Sequence, residues 1–404
     1  MDKELFLRLA DKYGCPLYVY DAEKIISQYN RLINAFGKNR KLEINYAVKA
    51  LSNVSILKLL KSLGSNIDCV SLGEVLLGLE AGFHPKQISY TPNGVSFNEL
   101  AEVAGLGVKI NVDNLSILES FGEKFPHIPV SIRINPNIMA GGNEKISVGH
   151  IDSKFGIAVD RMNEVKEILH RTGTRIQGVH MHTGSDILDA DIFLRGADVL
   201  LLVAKQFKDL DFVDFGGGFK VAYKKDDPAT DMEAFARKFN KKFDDFCAEY
   251  GKDLTAVFEP GKFMVSECGY FLSRVNVVKP SANLVFAGVD SGFNHFIRPM
   301  YYGAYHHITN LSNPEGKLKA YQVVGYICET DTFAKNREIN EISVGDILCF
   351  KNAGAYCFSM ASNYNSRFLP AEVLVYKGKD YLIRERESFK DILRNQTKTE
   401  IQLD

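Results

Sequence analysis

Four short runs in this sequence set groups able to do covalent or proton chemistry beside apolar stretches. Lys49 follows Asn45-Tyr46-Ala47-Val48, and a lysine at the end of a buried strand is desolvated, which lowers its pKa and frees the amine to form an imine. A solvated lysine after a strand is the commoner reading of one such residue alone. Asp214-Phe215-Gly216-Gly217-Gly218-Phe219 places three glycines after an apolar run, where bare N–H groups can approach a phosphate closely. A plain Gly-rich turn explains them equally well. His180-Met181-His182-Thr183-Gly184-Ser185 puts two histidines on one strand face, followed by a hydroxyl able to donate to phosphate. The same pair would ligate zinc only with a third donor that no spacing supplies, so no metal is expected. Glu259, in Glu259-Pro260-Gly261-Lys262, can keep a pyridine nitrogen protonated and the ring an electron sink, or be an ordinary satisfied carboxylate.

These groups need elements to hold them. From about Leu42 to Pro260, β-branched or apolar runs that stop at a polar residue or Gly alternate with amphipathic stretches of helical period, the pattern of βα units. Eight strands are expected: Leu42 to Val48, Asn66 to Ser71, Ile88 to Asn93, Val108 to Asp113, Val130 to Asn135, Ile176 to Thr183, Phe212 to Phe215 and Leu254 to Glu259. Eight parallel strands close into a (β/α)8 TIM-type barrel whose strand C-terminal ends share one mouth. Lys49, Asp68, Asn93, Asp113, Arg133, His182, Gly216 to Gly218 and Glu259 all fall at those ends. After Ser266 the texture changes to short strands, among them Val275 to Val278, Asn283 to Val289, Tyr321 to Ile327, Asp346 to Phe350 and Glu372 to Tyr376, which predicts a second, mainly β domain. The expected division is an N-terminal segment 1–24 that joins the β domain through Leu17-Tyr18-Val19-Tyr20, a barrel at 25–265, and the C-terminal β domain at 266–404. The Gly- and charge-rich stretch within 141–156 reads equally as a mobile lid or an exposed loop.

Composition excludes several classes. In 404 residues, 49 Lys and Arg nearly cancel 50 Asp and Glu, with no basic tract for a nucleic-acid backbone. Met1-Asp2-Lys3-Glu4 lacks the basic start of a signal peptide, and no run is apolar for long enough to span a bilayer. A cytoplasmic protein with no membrane partner is expected. The seven cysteines are odd in number and hold no C-x-x-C pair, so free thiols are expected.

Taken in order, these segments resemble the fold-type III pyridoxal-phosphate decarboxylases, the diaminopimelate decarboxylase family above all, over essentially the whole chain. The resemblance rests on Tyr46-Ala47-Val48-Lys49-Ala50, His182-Thr183-Gly184-Ser185, Gly216-Gly217-Gly218, Glu259-Pro260-Gly261-Lys262, Asp290-Ser291-Gly292 with Arg298-Pro299, Tyr302-Gly303-Ala304-Tyr305-His306, Cys328-Glu329-Thr330-Asp331 and Gly354-Ala355-Tyr356. It implies the alanine racemase-like arrangement of barrel plus β domain, pyridoxal 5'-phosphate as cofactor, and decarboxylation of meso-diaminopimelate to L-lysine.

By the same resemblance Lys49 carries the cofactor, His182 stacks on its ring and Glu259 meets its nitrogen. Ser185, Gly216, Gly217, Gly218, Gly261, Lys262 and Tyr356 hold the phosphate. Cys328 is the acid, Glu329 takes the distal amino group, and Lys262, Arg298, Tyr302 and Tyr356 face the substrate, with Cys328 and Glu329 reaching the partner's site in a homodimer. The sequence departs from the family in having Lys262 where an arginine is usual, which keeps the charge but loses the guanidinium fork. Thr330 alone stands for the usual Ser-Gly, and Thr183 for the commoner Ile. Related decarboxylases of ornithine, lysine, D-amino acids or carboxynorspermidine, a racemase, and a non-enzymatic cofactor carrier are the competing readings.

Overall fold

The computed structural model describes residues 1–38, 40–137, 153–186, 188 and 190–402. Most of the stretch 141–156, expected as lid or loop, lies outside them. The chain divides into two compact units, Lys24–Val265, and Met1–Glu23 together with Ser266–Asp404.

The first unit is the expected barrel. Parallel strands Leu42–Ala47, Asn66–Cys69, Ile88–Tyr90, Lys109–Val112, Val130–Asn135, Ile176–Met181, Phe212–Asp214 and Thr255–Phe258 pair in chain order. The ring closes where Ala256, Val257 and Phe258 lie opposite Leu42, Glu43 and Ile44. Most strands stop short of their expected ends, the first at Ala47 and the sixth at Met181. At the mouth the chain turns off the ladder: Val48–Ala50 forms a tight 3-10 turn, so Lys49 stands just beyond its strand rather than ending it. Asn53, Ser71, Ser96, Asn114 and Asp231 then accept a first-turn backbone N–H and start the helices that follow.

Strand period decides which side chains reach the axis. On the eighth strand Phe258 points to the helices, its ring centroid 4.6 Å from Phe36 and 4.9 Å from Phe239. Glu259, one residue on, therefore faces the interior. On the sixth strand Met181 packs outward beside Gly196 of the helix Ala190–Ala204, which turns His180 inward. Phe258, with Phe193, Phe215, Phe219 and Phe235, forms an aromatic layer between strands and helices.

The second unit is mainly β. Its main sheet runs Thr332–Asn340, Leu318–Val324, Val285–Val289, Gly269–Pro280, Leu17–Asp21, Ala371–Tyr376, Lys379–Arg384. Leu17–Asp21 sits inside it, antiparallel to Gly269–Pro280 and parallel to Ala371–Tyr376. The amphipathic helix Lys3–Tyr13 covers that strand, and Phe6, Leu9, Leu17, Val19, Leu272 and Val373 share one core. Three strands here escape the sequence reading, Ile308–Asn310, Thr332–Asn340 and Lys379–Arg384. Thr332–Asn340 and Lys379–Arg384 are rich in charge and half exposed, so they lack the apolar run that marks a buried strand. The expected strand Tyr321 to Ile327 ends at Val324, because the Tyr326 N–H bonds Ser291 O instead of continuing the ladder.

Phe258→Ala empties the centre of the aromatic layer and is expected to cost about 3–5 kcal/mol. Urea unfolding followed by circular dichroism measures the loss.

Candidate functional site

The barrel mouth gathers charge around one carboxylate. Arg133, His180 and Asp214 lie side by side across three neighbouring strands, in register Arg133↔His180↔Asp214. Glu259, 7% exposed, sets Oε2 3.1 Å from His180 Nε2. Burial alone would raise the Glu259 carboxyl, but the facing His180, and then Lys49, hold it below its ordinary value. Asp214 goes the other way, lifted well above the usual range by burial and by the charge on Glu259. The pair therefore divides the roles: Glu259 is ionised and Asp214 keeps its proton. Asp214 Oδ1 also accepts the Gly216 N–H at 2.9 Å, which ties this relay to the glycine turn.

Lys49 is half-buried, with Nζ 3.0 Å from Asp68 Oδ2. Burial and the Glu259 charge raise Asp68, and Lys49 opposes them. Arg133, buried at 6% exposure, is lowered by burial and supported by Glu259, Asp113, Asp68 and Asp214. Its guanidinium stands over the Phe155 ring at 4.6 Å. Asn93 donates to Asp113 and, at 3.2 Å, to Lys154 O.

His182 lies just past its strand, its Nδ1 accepting the Gly217 N–H at 3.3 Å. Burial first, then Arg133 and Lys49, push its pKa down to about 3, so the ring is neutral and presents a flat, weakly polar face. Gly216 has φ +66, which favours glycine, and a side chain on Gly217 would overlap Glu259 O. Lys262, 9% exposed, is engaged by Asp186 at 2.8 Å, next to the half-buried Ser185. Gly261 immediately precedes Lys262 at the start of the helix Lys262–Val265.

The remaining expected residues belong to the β unit. Arg298, 6% exposed, begins the short helix Arg298–Tyr302 and hydrogen-bonds Cys357, and its charge opposes the rise that burial gives the Tyr302 hydroxyl. Tyr356 takes a left-handed backbone, φ 57. Cys328 and Glu329 are both exposed. The Asn365 amide pairs with Cys328 Sγ at 3.3 Å, and Tyr364 OH donates to Glu329 Oε1 at 3.1 Å.

The barrel thus brings Lys49, His182, the three glycines and Glu259 into one polar mouth. Sequence reasoning missed Asp214 as a member and weighed His180 only as a zinc ligand. His180, Asp214 and Glu259 do offer three ligand atoms within 4.8 Å of one another, so the third donor comes from strands far apart in sequence rather than from local spacing. Three such atoms can share a proton as readily as a cation, and the raised Asp214 carboxyl holds that proton. Period 2 was the available signal, since His180 precedes His182 and Asp214 precedes Gly216 by two residues. The Asp186 partner of Lys262 carried none.

A family model described as the pyridoxal binding domain of pyridoxal-dependent decarboxylases matches residues 22–266. A diaminopimelate decarboxylase of Methanothermobacter thermautotrophicus is 42% identical over 96% of this chain and 93% of its own. One from Campylobacter jejuni is 35% identical over 96% and 97%. The solved Helicobacter pylori diaminopimelate decarboxylase complexed with L-lysine superposes with a TM-score of 0.89 at 34% identity, covering 96% of this chain and 98% of that one.

Asp214→Asn keeps both the acceptor for Gly216 and a donor toward Glu259. A carboxyl raised on folding binds its proton more tightly in the folded state, so stability from it is present at low pH and lost as pH rises from the ordinary carboxylate value toward the raised one. The unsubstituted protein should therefore lose thermal stability relative to Asp214→Asn over that rise. Melting curves of both proteins from about pH 4 to pH 9 test it, and parallel curves would contradict the protonated Asp214.

Proposed function

The chain belongs to the pyridoxal-dependent decarboxylases, and we propose that it decarboxylates meso-diaminopimelate to L-lysine and CO2 with pyridoxal 5'-phosphate bound at the barrel mouth. One observation carries the reading. Glu259 Oε1 is buried and receives no N–H or alcohol O–H among the described residues, with only the Asp214 carboxyl beside Glu259, in the same mouth as the Lys49 amine and the Gly216–Gly218 turn. That set fits a phosphorylated aldehyde with a protonated pyridine nitrogen. When bound, the cofactor supplies a conjugated ring that accepts the electron pair left by the departing carboxylate.

The residues of this chain do the rest. Lys49 would hold the cofactor covalently through its amine, and Asp68, 3.0 Å away, positions that amine. Ionised Glu259 keeps the ring nitrogen protonated, backed by His180. Neutral His182 offers its flat face to the ring without adding a competing positive charge. The N–H groups of Gly216 to Gly218, with Ser185, Gly261 and Tyr356, take the phosphate. Lys262 faces phosphate or carboxylate by sharing its ammonium with Asp186, a point-charge contact that the family's arginine fork would have made bidentate.

Substrate recognition follows from charge. Arg298 and Tyr302 take carboxylate, and Glu329, oriented by Tyr364, takes the distal ammonium. Cys328 returns a proton to the carbon that lost its carboxylate. We assign Cys328 and Glu329 to the site of a second copy, so the working unit is a homodimer acting in the cytoplasm. Seven cysteines that form no disulfide among the described residues suit that compartment, and no helix among the described residues is long and apolar enough to cross a membrane.

Purified protein with pyridoxal phosphate should release CO2 and lysine from meso-diaminopimelate and no CO2 from L-ornithine, D-lysine or carboxynorspermidine, and Lys49→Ala should abolish both turnover and the bound-cofactor absorbance. Mixing inactive Lys49→Ala with inactive Cys328→Ala after subunit exchange should restore about a quarter of the native activity, because half the dimers carry one intact shared site. No recovery would place both residues in one subunit's site.

A further inference from the structure

We propose that Asp331 is a positioning residue that locks the Cys328–Glu329 segment in its working conformation. This rests on the roles given above to Cys328 and Glu329, and the geometry lies wholly within the β unit.

Asp331 is 4% exposed, and both of its carboxylate oxygens are used on backbone donors. Oδ1 accepts the Phe293 N–H at 2.7 Å and Oδ2 the Ile327 N–H at 3.2 Å. The Ile327 bond closes a small ring around Cys328, Glu329 and Thr330. The Phe293 bond ties that ring to the loop after strand Val285–Val289, and the main chain repeats the tie, with Gly325 N–H on Asp331 O at 2.8 Å and Tyr326 N–H on Ser291 O at 3.1 Å. Two glycines make the space: a side chain on Gly325 would overlap Oδ2, and one on Gly292 would come within 2.5 Å of it. Burial lifts the Asp331 carboxyl to about 6, which leaves it ionised and acceptor-only at neutral pH.

The same anchor reaches the far ends of the segment. Phe293, whose N–H lies on Asp331, stacks its ring on Tyr364 with centroids 5.4 Å apart. Tyr364 donates to Glu329, and Asn365 beside it pairs with Cys328. Asn365 and Ser366 both hold left-handed backbone, φ 57 and 53, which gives the turn that carries the Cys328 partner. Asp331, Phe293, Tyr364 and Glu329 form a closed circuit, and Asp331 is the member that bonds to both halves. An amide cannot replace it, because its NH2 would face one of the two N–H donors.

The experiment uses Asp331→Asn in full-length holoenzyme. The expected result is a melting temperature lowered by a few degrees with cofactor absorbance close to native, a kcat for meso-diaminopimelate lowered about 10- to 100-fold, as a misplaced reacting group produces, and a several-fold change in the rate at which iodoacetamide labels Cys328, mapped by peptide mass. The labelling arm needs no turnover, so it reads the anchor even if the substrate assignment fails. Native kcat with native labelling overturns the proposal, and so does early melting with native labelling, which would make Asp331 a stability residue only. Should Asp331→Asn not fold, Phe293→Leu carries the test, since it keeps the N–H on Asp331 and removes the stacking on Tyr364. Native kcat and native labelling in that variant also overturn the circuit.

Discussion

Everything at the barrel mouth depends on keeping one buried carboxylate ionised. Taking Glu259 out of water penalises its charge by several kcal/mol. Here the penalty is met by His180 at hydrogen-bond distance, by the nearby cations Lys49 and Arg133, and by a neighbour, Asp214, that gives up its own charge. The neutral state of His182 belongs to the same balance, since the cations that support Glu259 are the ones that keep a proton off that ring. Moving Arg133, His180 or Asp214 by one residue along its strand would send it to the helix side, where Phe258 and Met181 point.

The barrel was legible in the sequence because strands buried on both faces are continuous β-branched runs ending in polar groups, and eight such runs admit few architectures. Lys49, the glycines and Glu259 were legible as chemistry for the same reason, standing where an apolar run stops. What stayed hidden depends on partners distant in sequence. Asp214 looks like the end of a strand until register sets it beside His180, and Lys262 looks free to bind an anion until Asp186 is seen 2.8 Å away. In the β unit the half-exposed strands were missed because charge interrupts their pattern, and Asp331 was read only as the last letter of a motif.

The two units solve different problems with the same economy. The barrel aims side chains by strand alternation, so its precision comes from a rigid ladder. The β unit presents Cys328 and Glu329 on an exposed turn, where no ladder reaches, and substitutes carboxylate-to-backbone bonds and a ring stack for it. The two inward notches at Gly292 and Gly325 are the cost of fitting that carboxylate under the turn.

The strand Leu17–Asp21 lies between Gly269–Pro280 and Ala371–Tyr376. It precedes the barrel in the chain, yet finds its last neighbour only after Tyr376 has emerged from the ribosome. The barrel strands, from Leu42 to Phe258, are by contrast all available earlier, and all but the closing pair of first and eighth join neighbours consecutive in the chain. Synthesis therefore imposes an order, in which the barrel can close on the growing chain while the β unit waits with the apolar run Leu17–Tyr20 still lacking its Ala371–Tyr376 neighbour. In that interval Leu17, Tyr18, Val19 and Tyr20 are the segment most in need of shelter from other nascent chains.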